Sequence, residues 1–238
     1  MQEIEFLHMG EQIMGTLHIP TQGEQPFPGV IYLHGLTSSR KNYVPMAQAL
    51  AEQRIAAMTL DIRGHGKSGG VFEKLTAADL ETDGIAAYDF FVKQKGIDPR
   101  RIGLMGGSMG AMLAAVTSEA RDVKSIVMRA PAAYTPEMRT WTMDKIDETE
   151  IKVFNEQIHP ENDPAVRAMG KFGGSLLVIA CENDTHIPRK MVQAYYDAGR
   201  NAARREFEIL PGSEHSPQTE ELRQQLSNRQ VQWFLETL

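Results

Sequence analysis

A serine stands between small residues at 106–110, where the chain runs Gly-Gly-Ser-Met-Gly. This is a G-x-S-x-G pattern, which in a turn from a strand to a helix presents the serine hydroxyl for nucleophilic attack. The apolar run at 102–105 predicts the strand, and the run at 109–116, rich in alanine, leucine and methionine, predicts the helix. Ser108 is therefore the candidate nucleophile. The alternative is a glycine-rich turn in which Ser108 only caps the helix.

A serine nucleophile needs a base, and the chain has seven histidines from which to choose. Position favours His215, which lies in a Pro-Gly-Ser-Glu-His loop just after the last predicted strand, at 207–210. Parallel sheets place their functional sites in the loops at the C-terminal ends of their strands. The alternative is an exposed loop histidine that takes no part in chemistry.

The third group should be a carboxylate that follows the preceding strand, predicted at 176–180. Asp184 fits this position, and Glu182 is its competitor because it is two residues nearer to the strand. His186 is predicted to be a neighbour within the same loop. A carboxylate packed against the imidazole would hold the correct tautomer and stabilise the imidazolium that forms when the serine attacks.

Two backbone N–H groups are expected to bind the oxyanion that forms when a serine attacks a carbonyl carbon. One is that of Met109, directly after the nucleophile, and the other is that of Leu36, in the loop after the predicted strand at 29–33. Gly35 allows this loop to approach closely. Without the other groups, Gly35 would indicate only an ordinary turn. This chemistry requires no cofactor and no metal, so none is expected.

Short apolar strands alternate with helical patterns, which predicts a parallel sheet covered by helices on both faces. The predicted strands lie at 29–33, 55–60, 102–105, 125–128, 176–180 and 207–210. Two β-like runs at 3–8 and 12–19 come first and predict an antiparallel N-terminal hairpin. Near the C-terminus, a packing helix is predicted to turn one apolar face to the core, formed by Leu222, Leu226, Phe234, Leu235 and Leu238.

The alternation of strands and helices lapses at 131–174, which is predicted to be a cap insertion within a single domain of residues 1–238. Many charged residues and a few large apolar ones share this segment, so some apolar side chains must turn inward. Trp141, Met143 and Phe154 are therefore the candidates to line an apolar substrate pocket over the serine. The alternative is that they only pack the underside of the cap.

The composition is that of a folded globular protein, with 42% hydrophobic and 24% charged residues among 238. The net charge of −6 is not accompanied by a basic block, which argues against nucleic acid as a partner. No apolar run approaches the roughly 20 residues needed for a membrane span, and the N-terminus lacks the features of a signal peptide. With the single cysteine, Cys181, this predicts a cytoplasmic protein and leaves the oligomeric state open.

These motifs, in this order, resemble the α/β-hydrolase superfamily over nearly the whole chain. The order Ser, Asp, His along the chain is that of the superfamily. The resemblance implies an α/β fold with a mostly parallel central sheet, an antiparallel N-terminal hairpin, helices on both faces and a small cap insertion. The features that carry it are His34-Gly35, the Asp-Ile-Arg-Gly-His-Gly-Lys-Ser stretch at 61–68, the serine turn, Asp184 with Ile187-Pro188, and His215.

Within the superfamily, the single glycine of the oxyanion loop and the compact insertion resemble cinnamoyl or feruloyl esterases and monoacylglycerol lipases. Met109 departs from the former, many of which carry glutamine there. The resemblance implies a serine esterase that acts on small-molecule esters, medium-chain or aryl, through an acyl-enzyme. The alternatives are a thioesterase, a peptidase or an acyltransferase on the same residues, or a non-catalytic ligand receptor on the same fold.

Overall fold

The computed structural model describes residues 1–146 and 162–238. Its centre is one eight-stranded sheet. The strands are β1 (Gln2–His8), β2 (Glu11–His18), β3 (Phe27–Leu33), β4 (Ala56–Leu60), β5 (Ile97–Gly107), β6 (Ser125–Arg129), β7 (Ser175–Cys181) and β8 (Arg204–Leu210). They lie in the order β1-β2-β4-β3-β5-β6-β7-β8. The pairs β1–β2 and β2–β4 are antiparallel and all others are parallel, so the predicted fold class and N-terminal hairpin are confirmed.

Helices cover both faces of this sheet. They are α1 (Val44–Glu52), α2 (Ala77–Phe91), α3 (Met109–Ala120), α4 (Pro164–Met169), α5 (Arg189–Ala198) and α6 (Glu220–Thr237). Alternate strand residues enter two buried clusters: Val30 of β3 packs with α1 and α6, and Ile31 packs with α2 and α3. Among the helices that the structure describes, none is both long and apolar enough to cross a membrane.

The C-terminal helix buries most of the face predicted for it, since Leu226 and Phe234 are buried and Leu222 and Leu238 pack against the same cluster. Trp233 and Phe234 are fully buried, whereas Leu235 is 50% exposed, so the prediction for Leu235 was wrong. Successive residues of an α-helix are about 100° apart around its axis. Trp233 and Phe234 both lie on the buried face, so Leu235, about 100° beyond Phe234 around the axis, turns toward solvent.

The segment between β6 and β7 begins against the start of α2. Thr142 forms an isolated antiparallel bridge with Thr76, and the backbone N–H of Met143 donates to the carbonyl of Leu75 at 2.9 Å. The segment ends in α4, which packs against α3 and α5. Residues 147–161 of the predicted cap lie outside the described residues, so the cap over the sheet stays a prediction.

Candidate active site

Ser108 joins β5 to α3 with backbone angles φ 55° and ψ −121°. A positive φ is uncommon for a residue with a side chain and costs of order 1–3 kcal/mol. The glycines on either side are needed because a Cβ at Gly106 would lie 2.2 Å from the Gly110 oxygen, and one at Gly110 would lie 1.9 Å from the Leu33 oxygen. The Ser108 side chain makes no capping hydrogen bond, so helix capping does not explain why a serine stands here.

An imidazole and a carboxylate meet where the loops after β7 and β8 run side by side. His215 Nδ1 lies 2.8 Å from Asp184 Oδ2, and Asp184 Oδ1 accepts hydrogen bonds from the backbone N–H groups of His186 and Ile187, at 2.8 and 2.9 Å. Burial alone would raise the pKa of Asp184, but the hydrogen bonds from His215 and the backbone outweigh it and hold this pKa below its usual value. Asp184 is therefore ionised at neutral pH.

The competing carboxylate, Glu182, makes a different contact. Its Oε2 accepts a hydrogen bond from the backbone N–H of Gly212 at 2.7 Å, and its side chain is exposed. His186 is a neighbour of the pair, as predicted, with its ring centre 5.0 Å from that of His215. Asp184, His186 and His215 could together offer ligand atoms to a metal ion. Because both Asp184 oxygens already accept hydrogen bonds, such an ion would have to displace the proton between Asp184 and His215.

The loop after β3 is held in place by the buried ring of His34. The backbone N–H of Ile62 donates to Nε2 at 2.9 Å, so Nδ1 carries the proton and donates to the Gly35 carbonyl at 2.8 Å. Burial above all lowers the pKa of His34 to about 4, which keeps the ring neutral. The C=O and N–H of one peptide unit point in opposite directions. Fixing the Gly35 carbonyl therefore also fixes the direction of the Leu36 N–H.

This loop lies against the serine turn. A Cβ on Gly35 would be 3.2 Å from Ser108 Cβ, so a side chain here would force the loop and the serine turn apart by a few tenths of an ångström. Met109, on the other side of the serine, is the first residue of α3, where backbone N–H groups have no acceptor within the helix. Both N–H groups predicted to bind an oxyanion thus belong to residues beside Ser108.

A cavity of about 710 Å³ opens at this end of the sheet. Ser108, His215 and Leu36 all line it. Asp184 stands behind His215 and contacts it through Nδ1. The structure therefore brings the serine, the imidazole and the oxyanion loop to one cavity, with the carboxylate adjacent.

The sequence matches the family Hydrolase_4, serine aminopeptidase S33, over residues 24–158, which is more than half of the chain. The chain belongs to this family. Among relatives of this S33-family hydrolase is an uncharacterized 31.7 kDa protein of the traX-finO intergenic region of Escherichia coli. The two are 25% identical over 278 residues, which cover 95% of this chain and 96% of that protein.

Solved structures similar to this S33-family hydrolase include several esterases. Est1E from Butyrivibrio proteoclasticus, with ferulic acid bound, matches with a TM-score of 0.79 and 19% identity over 98% of each chain. Acetyl xylan esterase 1 from Thermoanaerobacterium sp. matches with a TM-score of 0.74 and 19% identity, over 98% of this chain and 82% of that one. The family and the fold confirm the predicted α/β-hydrolase that resembles feruloyl esterases.

Two of the three apolar residues predicted to line the pocket, Trp141 and Met143, are absent from its described wall. Met143 is buried at 6% exposure, and Trp141 packs against the apolar core, but neither is among the residues that line the cavity. Phe154 lies outside the described residues. Met143 packs in the apolar core, and its backbone N–H donates to the carbonyl of Leu75, just ahead of α2.

The described part of this segment contributes other residues to the cavity wall, which no sequence motif marked: Ala132, Ala133, Tyr134 and Met138. Tyr134 is held by Asp163, whose Oδ2 accepts from the Tyr134 backbone N–H at 2.8 Å. The other Asp163 oxygen caps α4 by accepting from the N–H groups of Ala165 and Val166, at 2.7 and 2.9 Å. The sequence signal was the Asp-Pro pair at 163–164, which is typical of a helix start.

Proposed function

We propose that this S33-family hydrolase cleaves carboxylic esters through an acyl-enzyme on Ser108. His215 would take the Ser108 proton as the hydroxyl attacks the ester carbonyl, and Asp184 would orient the imidazole and stabilise the imidazolium. Water activated by the same histidine then releases the acid. The observation that carries the proposal is the 2.8 Å contact between Asp184 and His215, on the cavity where the strained Ser108 lies.

The oxyanion of the tetrahedral intermediate would be bound by the N–H groups of Leu36 and Met109. His34 supports this role because it orients the Gly35–Leu36 peptide unit. The N-terminus of α3 adds the positive end of its helix dipole beside the attacking oxygen. Donors that are fixed before the reaction need no reorganisation during it, and each is worth about 10²–10³ in turnover.

The described cavity wall favours esters over peptides with a free N-terminus. An aminopeptidase must bind the α-ammonium group of its substrate, for which a carboxylate beside the serine is the natural partner. Among the described lining residues, Glu214 is the only carboxylate, and it is exposed. The one guanidinium of that wall, Arg129, would repel an ammonium group.

Medium-chain or aryl esters are the expected substrates because apolar side chains line one side of the cavity, including Leu36, Tyr134, Met138 and Ile187. Burying one aliphatic or aromatic group is worth roughly 1.5–3 kcal/mol, which corresponds to about 10–150-fold in kcat/KM. The similarity to Est1E, which was solved with ferulic acid, supports an aryl group.

A substrate panel tests this function. Purified protein is assayed on p-nitrophenyl acetate, butyrate and octanoate, on methyl ferulate, on an acyl thioester and on aminoacyl p-nitroanilides. We expect the longer and aryl esters to have the highest kcat/KM, and Ser108→Ala to lower turnover on the order of 10⁴-fold or more while leaving the circular dichroism spectrum unchanged. Higher kcat/KM on the anilides or the thioester, or an active Ser108→Ala variant, would contradict the proposal.

A further inference from the structure

Arg129, the last residue of β6, is a buried cation at the cavity. Only 7% of it is exposed, and it forms no ion pair with a carboxylate among the residues that the structure describes. Its neighbours are the backbone carbonyl of His215, the Cys181 sulfur at 3.9 Å and the hydroxyl of Tyr43. Burying a charge is costly unless its hydrogen bonds are well used. The groups to which Arg129 hydrogen-bonds therefore indicate its role.

One hydrogen bond of Arg129 reaches the backbone of the proposed base, since Nη1 donates to the carbonyl of His215. The loop that carries His215 is otherwise exposed at Pro211, Gly212 and Glu214. Other bonds hold this loop at earlier positions: the Asn183 N–H donates to the Ser213 carbonyl at 2.8 Å, and Glu182 accepts from the Gly212 N–H. Arg129 therefore holds the loop at the histidine itself with a charged donor, and the Cys181 thiol contacts the same carbonyl at 3.6 Å.

The same guanidinium also passes over the turn that carries the nucleophile. A Cβ on Gly107 would lie 2.5 Å from Arg129 Nη2 and 2.8 Å from the Tyr43 hydroxyl. Gly107 directly precedes Ser108, and it is buried. One planar group therefore contacts the backbone on the nucleophile side and bonds the backbone on the base side.

We propose that Arg129 is a positioning residue that sets the distance between His215 and Ser108 by holding the His215 backbone against the end of β5. This inference rests on the proposed roles of Ser108 and His215. A charged donor holds a carbonyl more strongly than a neutral one, and its fork shape fixes direction as well as distance. Misplacement of a reacting group by about 1 Å can cost about 10²-fold in rate.

The kinetic test is Arg129→Gln, which removes the charge and the fork but keeps a polar side chain. On a neutral ester we expect kcat to fall about 10–100-fold and KM to change by less than about threefold, because the substrate still binds. Arg129→Lys, which restores the charge and one donor but not the fork, should recover about half of the loss on a logarithmic scale and stay below wild type. The matched control is Arg121→Gln. Arg121 follows the C-terminal end of α3, far from Ser108, and pairs with Asp89. The kcat of this variant should stay within about twofold of wild type.

A second substrate distinguishes positioning from recognition of an anion. If Arg129 instead binds a negative group of the substrate, Arg129→Gln should raise KM for the half-ester of a dicarboxylic acid and leave kcat on the neutral ester unchanged. That result, or unchanged kcat and KM on both esters, would overturn the proposal. If Arg129→Gln does not fold by circular dichroism, Arg129→Lys decides: lowered kcat at unchanged KM supports positioning, and full activity overturns it.

A measurement without substrate separates this inference from the proposed function. The proton on His215 Nδ1, shared with Asp184, should give a downfield resonance in the proton NMR spectrum, and Asp184→Asn should remove it. We expect Arg129→Gln to broaden or shift this resonance and Arg121→Gln to leave it in place. If the wild-type protein hydrolyses none of the esters, the proposed function fails while this resonance still tests Arg129. An unchanged resonance in folded Arg129→Gln would refute positioning even in an active esterase.

Discussion

Replacing Asp184 by asparagine should move the ring proton of His215 from Nδ1 to Nε2. In the wild type, Asp184 Oδ1 accepts two backbone N–H groups while Oδ2 faces His215 Nδ1 at 2.8 Å. Asparagine has one oxygen, and the two backbone donors hold it on the Oδ1 side. Its NH₂ group then faces His215 and can only donate, so Nδ1 must accept and the ring proton moves to Nε2.

A ring protonated on Nε2 cannot take the proton of Ser108, which explains the size of the expected effect. Loss of the correct tautomer costs about 10⁴-fold in kcat, equivalent to about 5.4 kcal/mol in the activation free energy. The fold should change little, because the amide keeps the two backbone hydrogen bonds that hold the loop after β7. The effect should therefore fall on catalysis and not on stability.

The assay compares kcat and KM on p-nitrophenyl butyrate for Asp184→Asn and for Glu182→Gln, with thermal melting of both. Glu182 accepts only the N–H of Gly212 and is exposed, so Glu182→Gln should stay within about threefold of wild type. The geometric argument would be refuted if Asp184→Asn kept more than a tenth of wild-type turnover, or if Glu182→Gln lost more activity than Asp184→Asn.

Two further predictions concern the cavity wall and acid stability. Met138→Ala should lower the ratio of kcat/KM for octanoate over acetate esters by about tenfold, because Met138 lines the cavity. Trp141→Ala, the control, should leave this ratio unchanged. An unchanged ratio in Met138→Ala would show that the pocket lies elsewhere. Asp98 accepts the Arg100 backbone N–H at 3.0 Å and Arg101 Nε at 2.9 Å, and these bonds lower its pKa to about 2. Since this pKa lies below the unfolded value of about 3.9, Asp98 stabilises the fold fully above that value and loses its contribution as pH falls toward 2. Asp98→Asn should lower the free energy of unfolding in urea by about 1 kcal/mol at pH 7 and by less at pH 3; an equal loss at both would contradict the assignment.

The amino-acid sequence alone determined the features that depend on neighbours along the chain. The apolar runs predicted the strands because a strand buried on both faces must be apolar throughout. The glycines around Ser108 indicated a turn that tolerates no side chain, and the structure explains them by the contacts a Cβ would make. The order Ser108, Asp184, His215 was likewise visible because loops after parallel strands meet at one edge of a sheet.

The tertiary structure decided which side chains face which neighbours. Asp184 and Glu182 are two residues apart in one loop, and only the path of that loop turns one carboxylate to His215 and the other to Gly212. Sequence periodicity placed both Phe234 and Leu235 on the buried face of α6, but packing against the sheet buried Trp233 beside Phe234 and left Leu235 exposed.

The cavity wall and its buried cation were also beyond the sequence. Arg129 ends a strand and has no motif around it, so nothing local indicates that it contacts the His215 backbone, 86 residues later. Met138 and Trp141 are both large and apolar, but only Met138 lines the cavity. Arg139, between them, bonds Glu81 of α2, and Met143, just after them, bonds the Leu75 carbonyl ahead of α2, so contacts with a distant segment set the course of the chain here. Contacts of this kind depend on where distant segments meet in space, which is a property of the whole fold and not of any local pattern.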